Sequence, residues 1–189
     1  ALYFQKYGDQ SDALARIAAK NHKNGVGNPF AQMRKDLGYD FCRRESDKNP
    51  FVAGPLKRTD CSLVSDGAAA LVLADSETAK TMGKAINFRA TAHAQDFLPM
   101  SKRDILQFEG CTVAWQRALQ KAGASLSDLS FVETHDCFTV AELIEYEAMG
   151  LTPRGQGARA IKEGWTQKDG KLPVNPSGGL KAKGHPIGA

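Results

Sequence analysis

Apolar residues recur at three- and four-residue spacing in several parts of the chain. In the first of these, Leu14, Ile17 and Ala18 share one face, which predicts an amphipathic helix. Gly25 and Gly123 follow two of these segments, at positions where a helix should end. The helices predicted in this way cover residues 10–23, 76–82, 111–122 and 139–149.

Three other segments have the pattern of strands. Residues 71–74 form a continuous apolar run, which is typical of a strand buried on both faces. Residues 86–94 alternate apolar and polar side chains, and the short apolar segment 129–132 directly precedes a predicted helix. Alternating strands and helices predict an α/β fold of layered sheets and helices. A new strand after the turn at residues 80–84 places a domain boundary near residue 84.

A long irregular segment, residues 25–55, separates the first helix from the rest and is rich in glycine, proline and basic side chains. Loops of this length inside a domain are usually functional. The chain has a net charge of +4, and ten basic residues, His22 included, lie between residues 20 and 58. Few aromatic residues and no helix with a continuous basic face accompany them, so a pocket for a phosphorylated small molecule is favoured over nucleic acid.

The 189 residues suffice for one domain or for parts of two. No apolar run is long enough to span a bilayer, and residues 1–6 lack the features of a signal peptide. A cytoplasmic location is therefore expected. The cysteines, Cys42, Cys61, Cys111 and Cys137, form no CxxC pair or metal-type cluster, so we expect free thiols and no structural metal.

The first stretch with candidate chemistry is Thr134-His135-Asp136-Cys137-Phe138, which lies between a predicted strand and a predicted helix. Strand-to-helix turns are where open α/β sheets present reactive side chains. A purely structural turn, with Asp136 or Thr139 capping the helix, explains the stretch equally well.

The second stretch is the glycine-rich C-terminus, residues 175–189. Its glycines permit positive φ angles and close approach of a ligand, and they surround a single histidine, His185. Two prolines make the segment stiff, so a loop that presents His185 to a substrate is favoured over a flexible linker.

Together these stretches resemble the thiolase family. Residues 175–189 look like the signature N-x-x-G-G-x-x-[SA]-x-G-H-P-x-G-A, and His135-Asp136-Cys137-Phe138 looks like the motif of the sterol-carrier-protein type of thiolase. Ser65-Asp66-Gly67-Ala68-Ala69-Ala70 resembles a family strand. Lys20-Asn21-His22-Lys23 with Asn28-Pro29 resembles the start of the family's CoA-binding loop region.

The resemblance implies a partial thiolase-like layered fold. Residues 1–84 would be the loop region and end of the N-terminal domain, and residues 85–189 the first part of the C-terminal domain. It also implies a homodimeric or tetrameric acyltransferase of lipid or sterol side-chain metabolism. Such an enzyme acts on CoA thioesters as substrates, without a further cofactor, and forms or cleaves the carbon–carbon bond of 3-oxoacyl-CoA.

The resemblance also assigns roles to individual residues. His135 and His185 would donate hydrogen bonds to the thioester oxygen, and Cys137 would be the acid/base. Ser62, Phe138 and Gly184 would contact the substrate, the first two along the pantetheine channel. The basic stretch 20–58 would hold the CoA phosphates.

The sequence departs from the family pattern at several points. Lys181 stands where the signature usually has an aliphatic residue, and the [ST]-Gly that completes the signature is absent. No cysteine lies in the Cys-x-Ser context of the family nucleophile, and the late Cys-x-Gly strand is absent. We therefore expect the middle-to-late part of a longer enzyme, inactive alone. A thiolase-like retro-aldolase of steroid side-chain degradation and a non-catalytic CoA-binding protein stay open as alternatives.

Overall fold

A computed structural model describes residues 1–186, so Ile187, Gly188 and Ala189 at the end of the thiolase-like signature lie outside the described residues. The described helices are α1 (Leu2–Tyr7), α2 (Ser11–Gly25), α3 (Tyr39–Arg43), α4 (Ser76–Lys80), α5 (Glu109–Ala122), α6 (Thr139–Ala148), α7 (Gly157–Lys162) and α8 (Gly179–Lys183). Two short antiparallel strands, β1 (Phe51–Ala53) and β2 (Leu56–Lys57), form a hairpin. Single 3₁₀ turns occur at Arg58–Asp60, Met100–Lys102 and Leu126–Asp128.

The hydrophobic core lies where α2 and α6 cross. Leu14 and Ile17 of α2 are completely buried, as are Leu143 and Tyr146 of α6. The apolar stripe that predicts α2 is therefore the face that packs in the core. Helices α1 and α7 close the same cluster from the side.

All four predicted helices are confirmed, with ends shifted by up to two residues. Gly123 ends α5 in the left-handed conformation, with φ 57°, and its backbone N–H donates to the carbonyls of Leu119 and Gln120. A side chain at this φ would be strained, so glycine ends the helix at low cost. The irregular segment 25–55 is only partly irregular, because it contains α3 and β1.

The three predicted strands are wrong as continuous elements. Residues 71–74 belong to no strand and are exposed, with 90% of Val72 accessible, and residues 86–94 join no ladder in the described part of the chain. Of residues 129–132, only Val132 pairs, in a parallel bridge with Val174. A segment becomes a strand only when a neighbouring strand forms backbone hydrogen bonds with it. The sequence of the segment does not show whether such a neighbour is present. The domain boundary near residue 84 stays a prediction.

No helix in residues 1–186 is both long enough and apolar enough to cross a membrane.

Candidate active site

The turn from Glu133 to Phe138 enters the site directly before α6. His135 is exposed and Cys137 is half-buried, whereas Asp136 between them is completely buried. Neither Asp136 nor Thr139 caps α6: the Thr139 hydroxyl donates to Asp60 at 2.8 Å, and Asp136 accepts from the backbone N–H of Leu180 at 2.7 Å. The purely structural explanation of this turn as a helix cap is therefore wrong.

The glycine-rich loop after α8 brings His185 against His135. Their ring centroids are 4.8 Å apart, and the rings meet edge to face. Desolvation, with a smaller effect of the His185 imidazole, lowers the pKa of His135 below its usual range. The buried Nδ1 of His185 has no hydrogen-bond partner among residues 1–186. Two imidazoles that are separated by 50 residues of sequence thus face one small region of the surface.

Residues 61–65 hold the two loops together. At one end the Ser62 N–H donates to the carbonyl of Cys137 at 2.9 Å, beside a bridge between Cys61 and Phe138. At the other end Ser65 Oγ accepts from the His185 N–H at 2.8 Å. This five-residue segment, called here the strap, therefore fixes the spacing between the turn that carries Cys137 and the loop that carries His185.

Gly184 is buried against the strap in a conformation that other residues rarely adopt, with φ 110°. A Cβ atom here would lie 2.5 Å from Ser65 Oγ. We expect Gly184→Ala to lower the free energy of unfolding by about 1–3 kcal/mol, since it adds backbone strain to a clash. Urea denaturation measures this. Gly83→Ala is the matched control, because its Cβ would meet open space, and equal effects of the two substitutions would contradict the prediction.

A buried polar cluster, formed by Lys20, Asn21, Asp136, Glu142 and Asn175, lies behind the turn. Lys20 Nζ pairs with Glu142 at 2.5 Å, and both side chains are fully buried. Asn21 Nδ2 donates to Asp136 at 2.8 Å and to Glu142 at 2.6 Å, and Asn175 Nδ2 donates to Glu142 at 2.9 Å. The first asparagine of the thiolase-like signature therefore anchors the start of α6 from within.

The tertiary structure, and not the sequence pattern, reveals the roles of Lys20, Asn21 and Glu142. The resemblance points to Lys20 and Asn21 as part of a CoA-binding region, but both side chains face the interior. Charged residues in otherwise apolar helix faces are a signal that could have identified the cluster, since a buried charge requires a partner.

Lys181, the departure from the family signature, is completely buried and is satisfied by hydrogen bonding. Its Nζ donates to the carbonyl of Cys61 at 2.5 Å, which ties α8 to the strap. Burial lowers the pKa of Lys181 to about 8, and the negative charges of Asp136 and Asp60 limit that fall. Burial likewise raises the pKa of Asp136 to about 6.

A cleft of about 480 Å³ opens beside the strap. Its lining combines apolar side chains with basic ones and contains no carboxylate. The apolar members include Leu37, Phe41 and Val52, the basic ones are Lys35, Lys48, Arg58 and Lys181, and Cys61, Ser62 and Val64 of the strap form one wall. The cleft therefore suits an anionic ligand with an apolar part.

Only some of the basic residues in the stretch 20–58 line the cleft. Lys20 and Lys57 are buried in ion pairs with carboxylates and cannot reach a ligand there. His22 lines the cleft, and burial, reinforced by the charge of Lys181, lowers the pKa of His22 to about 4, so its imidazole is neutral. Of the predicted site residues, Ser62 lines this cleft, whereas His135, Cys137, Phe138, Gly184 and His185 lie outside its lining.

Within residues 1–186, no three histidine, cysteine, aspartate or glutamate side chains are grouped so that they could hold a metal ion.

Comparisons with known proteins identify relatives of the chain. The model of the family described as thiolase C-terminal domain-like matches residues 91–189. Acetyl-CoA acetyltransferase of Methanothermobacter thermautotrophicus is 35% identical over 99% of this chain and 48% of its own length. Sterol carrier protein 2 of Oryctolagus cuniculus is 38% identical over 99% of this chain and 35% of its own. The chain thus spans about a third to a half of the length of these relatives.

A chain of the solved Ltp2-ChsH2(DUF35) aldolase has the same fold. It superimposes with a TM-score of 0.85 at 22% identity, over 97% of this chain and 49% of its own. The predicted thiolase-like α/β fold is therefore confirmed, although at this identity the likeness concerns the fold alone. With the family model matching more than half of its residues, the chain belongs to the thiolase C-terminal domain-like family.

Proposed function

We propose that the chain contributes to a thiolase-type acyltransferase, which forms or cleaves the carbon–carbon bond of a 3-oxoacyl-CoA with CoA. The observation that carries this proposal is the convergence of His135, His185 and the Cys137 turn on the strap, next to a cationic cleft. A catalytic site for thioester enolisation needs hydrogen-bond donors, one acid/base and a place for the CoA anion within one small region.

In the proposed reaction the thioester carbonyl lies between the two imidazoles. The Cys137 thiolate removes a proton from the α-carbon and becomes a thiol. The electron pair of the broken C–H bond forms the enolate, and its negative charge on oxygen is stabilised by hydrogen bonds from His135 and His185. The enolate carbon then attacks the carbonyl carbon of an acyl thioester, which forms the new carbon–carbon bond and breaks the acyl C–S bond. The sulfur leaves as a thiolate, to which the Cys137 thiol returns its proton, and cleavage is the reverse of this sequence.

The acyl group requires a nucleophilic cysteine besides the acid/base Cys137, and the other three cysteines of this chain are poor candidates. Burial raises the pKa of Cys42 and of Cys111 to about 11, and it also raises the pKa of Cys61. A raised pKa lowers the thiolate fraction and with it the reactivity. We therefore propose that this chain alone binds CoA without transferring acyl groups, and that the nucleophile belongs to other parts of the enzyme.

The cationic cleft allows a direct test on the chain itself. Arg58→Glu is expected to weaken binding of CoA at least about tenfold, because it replaces an attractive charge by a repulsive one at the cleft wall. Isothermal titration calorimetry at low salt measures the change. Arg154→Glu is the control, since Arg154 is exposed and lies outside the cleft lining.

Equal affinities of Arg58→Glu, Arg154→Glu and the unmodified chain would contradict CoA binding in the cleft. If the complete enzyme cleaved a β-hydroxyacyl-CoA without an acyl-cysteine, the retro-aldolase would replace the thiolase. If the complete protein bound CoA but turned over neither substrate, the non-catalytic alternative would be favoured. The homodimeric or tetrameric state and the cytoplasmic location remain proposals, which size-exclusion chromatography and cell fractionation can test.

A further inference from the structure

Helix α6 carries two buried carboxyl groups on the face that turns towards the site. Glu142 and Glu145 are three residues apart, with 0% and 5% of their surface exposed. Glu142 pairs with Lys20 and accepts further hydrogen bonds from Asn21 and Asn175. The side-chain carboxyl of Glu145 accepts one hydrogen bond, from the Thr134 hydroxyl at 2.7 Å, and forms no ion pair with the described residues. The two carboxyls therefore lie in very different electrostatic surroundings.

The charges around the start of α6 do not balance if every carboxyl is ionised. Asp60, Asp136, Glu142 and Glu145 are buried there together with three ammonium groups, those of Lys20, Lys57 and Lys181. One carboxyl of the four must then carry a proton or leave an uncompensated buried charge, which is costly. Lys57 pairs with Asp60 and Lys20 pairs with Glu142, while the charge of Lys181 acts on Asp136. No cation acts on Glu145 in this way, so the extra proton belongs on Glu145.

The pKa of Glu145 supports this placement of the proton. Burial, together with the charges of Glu142 and Asp136, raises the pKa of Glu145 to about 8, while the hydrogen bond from Thr134 opposes the rise. Its carboxyl is thus mostly neutral at pH 7 and ionised at pH 9.

Two thiols lie on the elements that contact the Glu145 carboxyl or its helix. Cys137 belongs to the turn that also contains Thr134 and Asp136, and Cys111 lies in the first turn of α5, which packs on α6. Burial is the largest influence that raises the pKa of Cys137, and the charges of Glu145 and Asp136 raise it further. Burial, and after it the charge of Glu145, raises the pKa of Cys111. Burial also raises the pKa of Cys61, and the charges that act on Cys61 are those of Lys181 and Asp60.

We propose that Glu145 is a positioning residue for proton transfer: its neutral carboxyl leaves the Cys137 thiol free to ionise, and its ionisation keeps the proton on Cys137. The role of Cys137 as acid/base rests on the proposed thiolase function, but the coupling between the two groups does not. Glu145 thereby sets the alkaline limit of the pH range in which Cys137 can act.

The coupling is measured by peptide-resolved mass spectrometry of iodoacetamide alkylation between pH 7 and 9.5. In Glu145→Gln, alkylation of Cys137 and Cys111 should match the unmodified chain near pH 7 and become about 3- to 10-fold faster at pH 9, as expected when a nearby like charge is removed. Cys61 is the internal control and should not change. Glu163→Gln, an exposed substitution of the same type, is the control variant.

Thr134→Val provides a second variant that keeps the carboxyl. Losing the hydroxyl removes the hydrogen bond that lowers the pKa of Glu145, so Glu145 stays neutral to higher pH and alkylation of Cys137 at pH 9 should again be faster. Superimposable Cys137 profiles in the unmodified chain, Glu145→Gln and Thr134→Val would overturn the proposal.

The protonated state itself has an independent readout in stability. Glu145 has a pKa of about 8 when folded, against an ordinary value of 4.5 for glutamate. Between these values the unfolded chain releases the proton and the folded chain keeps it, so stability falls as the pH rises through this window. In Glu145→Gln the urea midpoint should fall less from pH 5 to pH 8, and an unchanged slope would contradict a protonated Glu145.

The alkylation and stability results do not depend on catalysis. If Cys137 alkylation shifts as expected while Cys137 variants of the complete enzyme retain full activity, the coupling stands and the proposed function fails. If activity requires Cys137 but the alkylation rate of Cys137 does not depend on Glu145, the proposed function stands and this inference fails.

Discussion

In an active thiolase that contains this chain, Cys137→Ala should reduce exchange of the acetyl-CoA α-proton into deuterated water by about 10²–10⁴, the usual size of a general acid–base contribution. The half-buried thiol lies in the same turn as His135, and the strap holds its backbone carbonyl beside the loop of His185. Acylation of the enzyme's nucleophile should survive, because that step does not move the α-proton.

Cys137→Ser is the sharper variant of this test. A hydroxyl is similar in size to a thiol but much less acidic, so a residue that only fills space would tolerate the change. Cys111→Ser, also at a half-buried thiol, is the matched control and should retain exchange. Parental exchange rates in both Cys137 variants would mean that another group is the base.

His185→Ala should impair the activity of the enzyme in a different way. It removes a donor to the enolate oxygen, for which losses of about 10²–10³ are typical, and every step at that thioester should slow together. Single-turnover measurements separate the two patterns, since Cys137→Ala should spare acylation.

The largest expected effect on stability concerns Lys20. Its Nζ lies 2.5 Å from Glu142, with both side chains fully excluded from water. Lys20→Met should lower the free energy of unfolding by about 3–5 kcal/mol, because it leaves the Glu142 charge buried without a cation. Urea denaturation at pH 7 measures the loss. The control is Lys162→Met, whose exposed pairing with Asp12 should contribute no more than about 1 kcal/mol.

The double variant Lys20→Met/Glu142→Gln separates the charge from the hydrogen bonds. Glutamine carries no charge but keeps an acceptor for the donors of Asn21 and Asn175. The double variant should therefore recover part of the stability that Lys20→Met loses. A cost below about 1 kcal/mol for Lys20→Met would contradict the role of this ion pair as the centre of the buried cluster.

The sequence alone determined the features that depend on neighbouring residues. The helix formed by α2 follows from its apolar stripe, and the end of α5 follows from the left-handed conformation that Gly123 adopts readily. The motifs around His135 and His185 also identified the family, since each is a short run of specific residue types. Local periodicity and local backbone preferences are encoded within a few turns of chain.

Only the tertiary structure decided which predicted strands are paired and which charged residues serve a ligand. Residues 71–74 have the pattern of a buried strand but are exposed. Their pattern could not reveal this, because burial and pairing depend on a partner distant in sequence. Lys20 and Arg58 look alike as basic residues, yet the first balances Glu142 in the interior and the second lines the cleft. Glu142 and Glu145 also look alike in the sequence, yet Lys20 pairs with Glu142 and not with Glu145. Burial and charge compensation depend on three-dimensional neighbours, and these are set only when the distant segments of the chain pack together.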